Sequence, residues 1–377
     1  MSTEFVSGSV SGSATGSADA VDAEGRMLLR IEEFRKRRPR LPDTVVTMAH
    51  GAGGKSSAAL IDHVFVEAFR NPALENLGDG ASLELPSGER LAFSTDSFVV
   101  QPLFFPGGSI GHLAVHGTVN DLAVSGARPQ WLSAAFVLEE GFPIADLQRV
   151  VADMREAALG AGVDIVTGDT KVVPRGAADG MYISTAGIGV IPAGLSLGPA
   201  RVHPGDRVVL SGPLGAHGMA VMLARGGLDI EADINSDTMA LHDQVAALLD
   251  AAPSTRWMRD ATRGGLATVC NELAGQSGLG VVLDEGLLPV APAVAGACDM
   301  LGIDPVFVAN EGVFAAIVAP DEAEAAVVAL RDRPGGAHAA VVGEIVASPA
   351  GIVAMRTPFG GTRIVDVLVG DPLPRIC

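Results

Sequence analysis

Between Ile191 and Pro204 the chain carries Pro192, Gly194, Gly198, Pro199 and Pro204, a density of breakers that neither a helix nor a strand survives. The same idiom recurs on both sides of this break: short apolar runs with strand spacing alternate with longer segments of helical spacing. Two mixed helix-and-strand domains are therefore expected, and 377 residues give each of them room for a sizeable core. Before the break the spacing predicts a helix over 58–69, a hairpin from 83–85 and 91–95, a strand at 98–100, a helix over 110–124 and a strand over 131–138. A helix over 144–159 and strands at 165–167 and 181–190 complete this half. After the break it predicts a strand at 207–210, helices around 219–223, 238–249 and 266–274, a strand at 281–283 and a helix over 290–301. Strands at 306–308 and 313–318, a helix over 322–330 and a strand over 341–346 follow. No fixed period of 20 to 50 residues recurs, which excludes a solenoid.

The two ends differ from this body. Ser7, Gly8, Ser9, Ser11 and Gly12 open a stretch of flexible composition, so residues 1–43 read as a disordered extension, with Arg35 to Arg40 as a solvated basic linker. Residues 44–195 form the first domain and 196–356 the second. Residues 357–377, rich in Gly and Pro, read as a mobile tail that ends on Cys377. No secretory leader is recognisable, and no apolar run approaches the roughly 18 to 20 residues that span a bilayer. A net charge of −18 repels a phosphate backbone, and three cysteines are too few for a disulfide framework. A cytoplasmic protein with neither nucleic acid nor membrane as partner is expected.

Chemistry must then come from glycines, carboxylates and a few placed bases. The loop His50-Gly51-Ala52-Gly53-Gly54-Lys55-Ser56-Ser57 precedes a helix, which suits either a tight turn or phosphate binding by backbone N–H groups. It lacks the glycine spacing of a Walker A loop. Asp96, Asp121, Asp169 and Asp260 each sit at the end of an apolar run among small residues. Any one of them alone reads as a cap or a turn residue; together they suggest ligands for a hard cation such as Mg²⁺. His112 and His116 share a helix face but lack the central glutamate of a zinc motif, and Cys270 and Cys298 fall on apolar faces as core thiols.

The set His50-Gly51-Ala52-Gly53-Gly54-Lys55, Ser94-Thr95-Asp96-Ser97, Val119-Asn120-Asp121-Leu122, Thr167-Gly168-Asp169-Thr170-Lys171, Asp260-Ala261-Thr262-Arg263-Gly264-Gly265, Asn310-Glu311-Gly312 and the closing Pro374-Arg375-Ile376-Cys377 resembles the HypE family of hydrogenase maturation factors. The resemblance covers about residues 44–377. That family lies in a superfamily of ATP-using enzymes similar to aminoimidazole ribonucleotide synthetase, selenophosphate synthetase and thiamin-monophosphate kinase. The aspartate motifs are shared across the superfamily, whereas the terminal cysteine and Asn310-Glu311-Gly312 point to the one family. The N-terminal extension has no counterpart in it.

The resemblance implies an α+β, two-domain, aminoimidazole ribonucleotide synthetase-like fold. Its N-terminal domains pair in a homodimer, and its C-terminal α/β domain is followed by a flexible tail. It implies that Cys377 receives a carbamoyl group from a HypF-like carbamoyltransferase, and that ATP drives dehydration of that group to a thiocyanate. A HypC-HypD-like iron scaffold complex would then take the cyanide for a [NiFe]-hydrogenase. On the same basis Lys171 and Glu311 manage proton and charge; Asp96, Asp121, Asp169 and Asp260 hold Mg²⁺. His50, Gly51, Gly53, Gly54, Lys55, Asn120 and Thr170 join those aspartates around ATP. A selenophosphate synthetase is disfavoured because its reactive cysteine belongs in the N-terminal glycine loop, where this chain has none. Another ATP-dependent synthetase or kinase of the superfamily, or a non-catalytic ATP-binding scaffold, remain the alternatives.

Overall fold

A computed structural model describes residues 40–226, 232–368 and 375–377. The expected N-terminal extension thus lies, up to residue 39, outside the described residues. Two sheets organise the rest. The first has the order β1-β2-β7-β5-β6, built from β1 (Ala81–Glu84), β2 (Arg90–Phe98), β5 (Arg128–Glu139), β6 (Asp164–Val173) and β7 (Met181–Ile191). All its pairings are antiparallel except that of β5 with β6. A short ribbon, β3 (Phe104–Phe105) with β4 (Gly108–Ser109), leads into the helix Ile110–Val124. The second sheet has the order β14-β13-β10-β12-β8-β11-β9. Its strands are β8 (Arg207–Leu210), β9 (Trp257–Asp260), β10 (Gly280–Asp284), β11 (Phe314–Val318), β12 (Ala340–Val346), β13 (Val353–Arg356) and β14 (Thr362–Ile364).

The helix Ile110–Val124 is the centre of the molecule. Its sequence has no polar face, which marks a helix covered on all sides, and 13 of its 15 residues are buried. It packs on β2 and β7, on the helix Ile144–Ala161, and on β9 and the helix His242–Ala251 of the second half. Asn120 ties these halves together. Its Oδ1 accepts the N–H of Leu241 at 2.8 Å, and its Nδ2 donates to the carbonyls of Met239 at 3.0 Å and Glu311 at 3.2 Å. The side-chain amide expected to assist nucleotide is therefore committed to the main chain.

Several elements differ from expectation for identifiable reasons. The strands expected at 91–95 and 98–100 are one continuous β2, so Asp96 sits within a strand rather than after one. The strand expected at 165–167 runs to Val173, because parallel pairing with β5 carries the polar stretch Gly168 to Lys171 along the exposed edge of the sheet. At 306–308 the chain makes a 3₁₀ turn, Pro305–Phe307, with Pro305 at its start and the Asp304 carboxylate accepting the Val306 N–H. The helix expected from 238 starts at His242, since 239 and 241 are engaged by Asn120. Residues 357–368, assigned to the tail by composition, contain β14, which pairs with β13.

Replacing Asn120 by Ala leaves the Leu241 N–H and two carbonyls in the core without their partner. The expected loss is about 1–3 kcal/mol of unfolding free energy, read as a lower denaturant midpoint with an unchanged slope.

Candidate active site

Three aspartates from distant parts of the chain converge where the two halves meet. Asp121 lies on the last turn of the central helix, Asp260 ends β9, and Asp79 sits in the turn before β1; one carboxylate oxygen of each lies within 4.8 Å of the others. Arg259 holds Asp79 through Nε at 2.7 Å, donates to the Leu77 carbonyl at 2.8 Å and also pairs with Glu272. The Ser94 hydroxyl reaches both the Asp121 carboxylate and the Asp79 carbonyl. Burial, reinforced by Asp260, Asp79 and Asp96, pushes the Asp121 carboxyl well above the usual carboxylate range. Burial and the charges of Asp79 and Asp96 do the same to Asp260, against the pull of Arg259. Asp96 is raised by burial and lowered by Arg263.

Glu311 feels the same field. Burial raises it well above its ordinary value, Asp96, Asp260 and Asp237 add to the rise, and Arg263 opposes it. Its backbone N–H donates to Asp237 Oδ1 at 2.9 Å, and burial pushes Asp237 up to about 7. Gly312 is required here, because a Cβ at that position would lie 1.9 Å from the Asp237 carbonyl oxygen. Buried, mutually repelling carboxylates, offset only in part by Arg259 and Arg263, form a donor set that fits a hard divalent cation.

The glycine loop lies beside this cluster and is stitched to the second half. His50 is buried, with Nδ1 accepting from Thr47 N at 3.0 Å and Nε2 3.5 Å from Asp43. The Gly51 carbonyl accepts from Arg263 at 2.7 Å, and the Gly53 N–H donates to Ser57 Oγ at 3.0 Å. Gly54 approaches Leu368 so closely that a Cβ would meet its carbonyl oxygen at 2.4 Å. The Lys55 ammonium pairs with Asp366 at 2.7 Å.

Asp169, Thr170 and Lys171 do not join the cluster within one chain. Asp169 is registered with Ala135, and Ala135 with Ser184, which opposes Ser97. Paired residues share a face. Asp169 and Lys171 therefore point to the side of the sheet away from the central helix, whereas Asp96 points toward it. Both are exposed, and they pair with each other at 2.6 Å; Thr170 N donates to Asp169 Oδ1 at 2.8 Å. Leu83, Phe93, Trp131 and Val190 lie on that same uncovered face, each more than a third exposed.

The last three residues are docked between the halves. They run beside the end of β2, where Val99 N donates to the Cys377 oxygen at 3.1 Å and Gln101 N to the Arg375 carbonyl at 3.3 Å. His217 Nε2 lies 2.6 Å from the Ile376 carbonyl, and Arg225 Nη2 2.6 Å from that of Arg375. The Ile376 side chain is buried in the apolar cluster that joins the central helix to the helices Ala216–Ala224 and Pro292–Leu301. Burying such a side chain stabilises the docked tail by about 1.5–3 kcal/mol. Against this, Arg375 adopts φ 56°, a left-handed conformation costing an L-residue about 1–2 kcal/mol.

Among the other singled-out residues, His112 meets Ser109 and Asp153, and His116 meets Thr238, with burial pulling His116 down to about 3. Both serve packing. Cys270 and Cys298 are buried, and burial pushes their thiols up to about 12 and about 11. Asp79, Asp237 and Arg263 were not expected from the sequence. Gly78-Asp79-Gly80 reads as an ordinary turn, and nothing local separates Asp237 from Asp233 or Asp243.

The sequence matches AIR synthase related protein, N-terminal domain, over residues 77–191, and AIR synthase related protein, C-terminal domain, over residues 203–356. It is 52% identical over 332 residues to carbamoyl dehydratase HypE of Cupriavidus necator, covering 88% of this chain and 95% of that protein. A crystal structure of a HypE-HypF complex superposes with a TM-score of 0.78 at 44% identity, over 82% of this chain and all of that one (100%). A HypE crystal structure in complex with ATP gives a TM-score of 0.74 at 47% identity, over 88% of this chain and 100% of that one.

The carboxylate cluster has a signature in stability. Folded Asp121, Asp260 and Glu311 hold their protons to higher pH than the unfolded chain does, so the folded state binds more protons and stability falls as pH rises. Without divalent ions the melting temperature should drop steadily from the ordinary carboxylate range through neutral pH. Mg²⁺ should restore it, and more so at pH 8 than at pH 6. Asp121→Asn should flatten both responses in the same thermal melts.

Proposed function

This chain belongs to the carbamoyl dehydratase HypE family, and from that premise we propose that it converts a carbamoyl group on its own Cys377 into a thiocyanate at the expense of ATP. It is a carbamoyl dehydratase of hydrogenase maturation. The observation that carries the finer reading is the docked tail: Cys377 is hydrogen-bonded to Val99, three residues beyond Asp96, and His217, which holds Ile376, is hydrogen-bonded to Ser236 beside the Asp237 that receives the Glu311 N–H. A HypF-like carbamoyltransferase would load the sulfur, giving S–C(=O)–NH₂. Phosphoryl transfer from ATP to the carbonyl oxygen turns a poor leaving group into phosphate. Loss of that phosphate and of the remaining N–H proton leaves S–C≡N, so that the sum is carbamoyl-Cys377 plus ATP to cyano-Cys377, ADP, phosphate and a proton. A HypC-HypD-like scaffold would take the cyanide as a ligand for iron.

Glu311 is the base of this reading. Its raised affinity for protons suits a group that must accept one near neutral pH. A Mg²⁺ ion held by Asp96, Asp121 and Asp260, with Asp79 beside them, would neutralise phosphate charge. Arg263 keeps the Gly51 carbonyl in place and favours the ionised forms of Asp96 and Glu311. Lys55 would exchange Asp366 for phosphate when nucleotide arrives.

Asp169, Thr170 and Lys171 fit this chemistry through a second copy. Asp169 and Lys171 lie on the uncovered face of the first sheet with Leu83, Phe93, Trp131 and Val190, with Thr170 between them on the strand, and pairing of two such faces would cover the apolar residues. It would also deliver one chain's β6 to its partner's nucleotide site. Lys171 then manages charge on the transferring phosphoryl across the interface, and Asp169 assists with the metal. The tail must undock to meet the transferase and the iron scaffold.

Incubation with a carbamoyltransferase, carbamoyl phosphate and Mg-ATP, followed by mass spectrometry of the C-terminal peptide, tests the chemistry. A carbamoyl adduct that loses one water when ATP is hydrolysable supports it. An unmodified Cys377 beside an active transferase overturns it and leaves a small-molecule enzyme or a scaffold. Cys377→Ala should abolish both adducts while retaining ATP binding. Glu311→Gln should stop at the carbamoyl adduct, its conversion slowed by at least about 10²-fold. For the pairing, Trp131→Glu should halve the mass measured by light scattering, and an unchanged mass would place the interface elsewhere.

A further inference from the structure

A carrier tail needs a dock that grips it firmly enough for chemistry and still lets it go. We propose that His217 is the positioning residue of that dock, acting on Cys377 through the Ile376 backbone, with Arg225 as its second clamp. The proposal rests on the carrier reading above.

The hydrogen-bond roles around His217 are fixed by its neighbours. A carbonyl oxygen only accepts, so the 2.6 Å contact to Ile376 requires the proton on Nε2. Nδ1 then accepts from Ser236 Oγ at 2.8 Å, and that same oxygen accepts the Thr238 N–H at 3.1 Å. The chain of donors thus runs in one direction, from Thr238 through Ser236 and His217 to the tail. Phe105 packs edge-on to the imidazole at 5.5 Å, and Ser236 is itself tied to the Pro106 carbonyl at 2.9 Å. The ring is fully buried, and burial pulls it down to about 4, so it stays neutral and keeps this tautomer across the physiological range.

Arg225 reads the next peptide. Its Nη2 donates to the Arg375 carbonyl and its Nε to Gln101 O at 2.8 Å, clipping the tail to the strand it lies beside. An ordinary core histidine satisfies itself within the fold. His217 instead spends its donor on a segment that must depart.

The same short stretch serves the base. Ser236 orients His217, while the adjacent Asp237 receives the Glu311 N–H and the Asn120 amide fixes both Met239 O and Glu311 O. Docking of the tail and placement of Glu311 are therefore set by neighbouring residues of one loop.

The test measures access to Cys377 in the full-length protein, using Cys270→Ala and Cys298→Ala as background so that a maleimide reports one thiol. His217→Phe keeps the ring against Phe105 and removes the donor; Cys377 should label about five to ten times faster, as loss of one hydrogen bond predicts. His217→Gln, which retains a donor, should label at a rate between the two. Arg225→Gln, at the rim of the dock, should raise labelling in the same direction if His217→Phe folds poorly. Dehydration of a preloaded carbamoyl tail should slow while ATP affinity holds. Labelling needs neither carbamoyl donor nor ATP, so it can succeed where the dehydratase reading fails. In a chain ending at Pro374, His217→Phe should no longer lower the unfolding midpoint. Unchanged labelling in both variants, or an equal midpoint loss with and without the tail, overturns the proposal.

Discussion

Buried negative charge is the constraint around which the molecule is arranged. Asp79, Asp121 and Asp260 place carboxylate oxygens within 4.8 Å of one another. If ionised, each pair at such a separation repels by roughly 3.5 kcal/mol at an effective dielectric of 20. Arg259 meets part of this through Asp79, and Glu272 shares that arginine. Protons held on Asp121 and Asp260 meet the remainder, and in the proposed function a divalent cation would replace them. Such a cation would bring the phosphates of a nucleotide to the same place.

That cluster is held open by the central helix. A helix with no polar face can only be stable when covered on every side, and covering it brings β2 of the first sheet and β9 of the second to the same place. Asp121 and Asp260 meet for that reason, and Asp96 of β2 comes near enough for its charge to raise both. Asn120, one residue from Asp121, locks the arrangement by holding three main-chain groups of the second half. Asn120 and Asp121, about 100° apart on the helix, thus divide between tying the second half and facing the carboxylate cluster.

Much of this was legible in the sequence. The breakers from Pro192 to Pro204 mark the division, and Asp96, Asp121 and Asp260 stand out because small residues flank them. Asp79 was hidden, since a carboxylate between two glycines looks like any turn; only the fold puts Arg259 beside it. Asp169 and Lys171 show a different limit. Their motif was visible, but which face of the sheet they occupy depends on strand register, where a shift of one residue reverses the answer. The β-bulge between Leu132 and Ser133 sets that register, and no local pattern announces it.

Backbone groups of all three closing residues take part in seating the tail. Contacts that seat it go to main-chain oxygens of Arg375, Ile376 and Cys377, to the Arg375 guanidinium through Asp179 and the Val99 carbonyl, and to the buried Ile376 side chain. In the proposed function none of these groups is itself altered when the sulfur gains a carbamoyl group or that group becomes a nitrile. Release is eased by the left-handed Arg375, whose backbone relaxes once the side chain lets go of Asp179. In the proposed function this latch and a reaction site at Glu311 and the aspartates would divide holding from chemistry. The short segment carrying Ser236 and Asp237 is where the two meet.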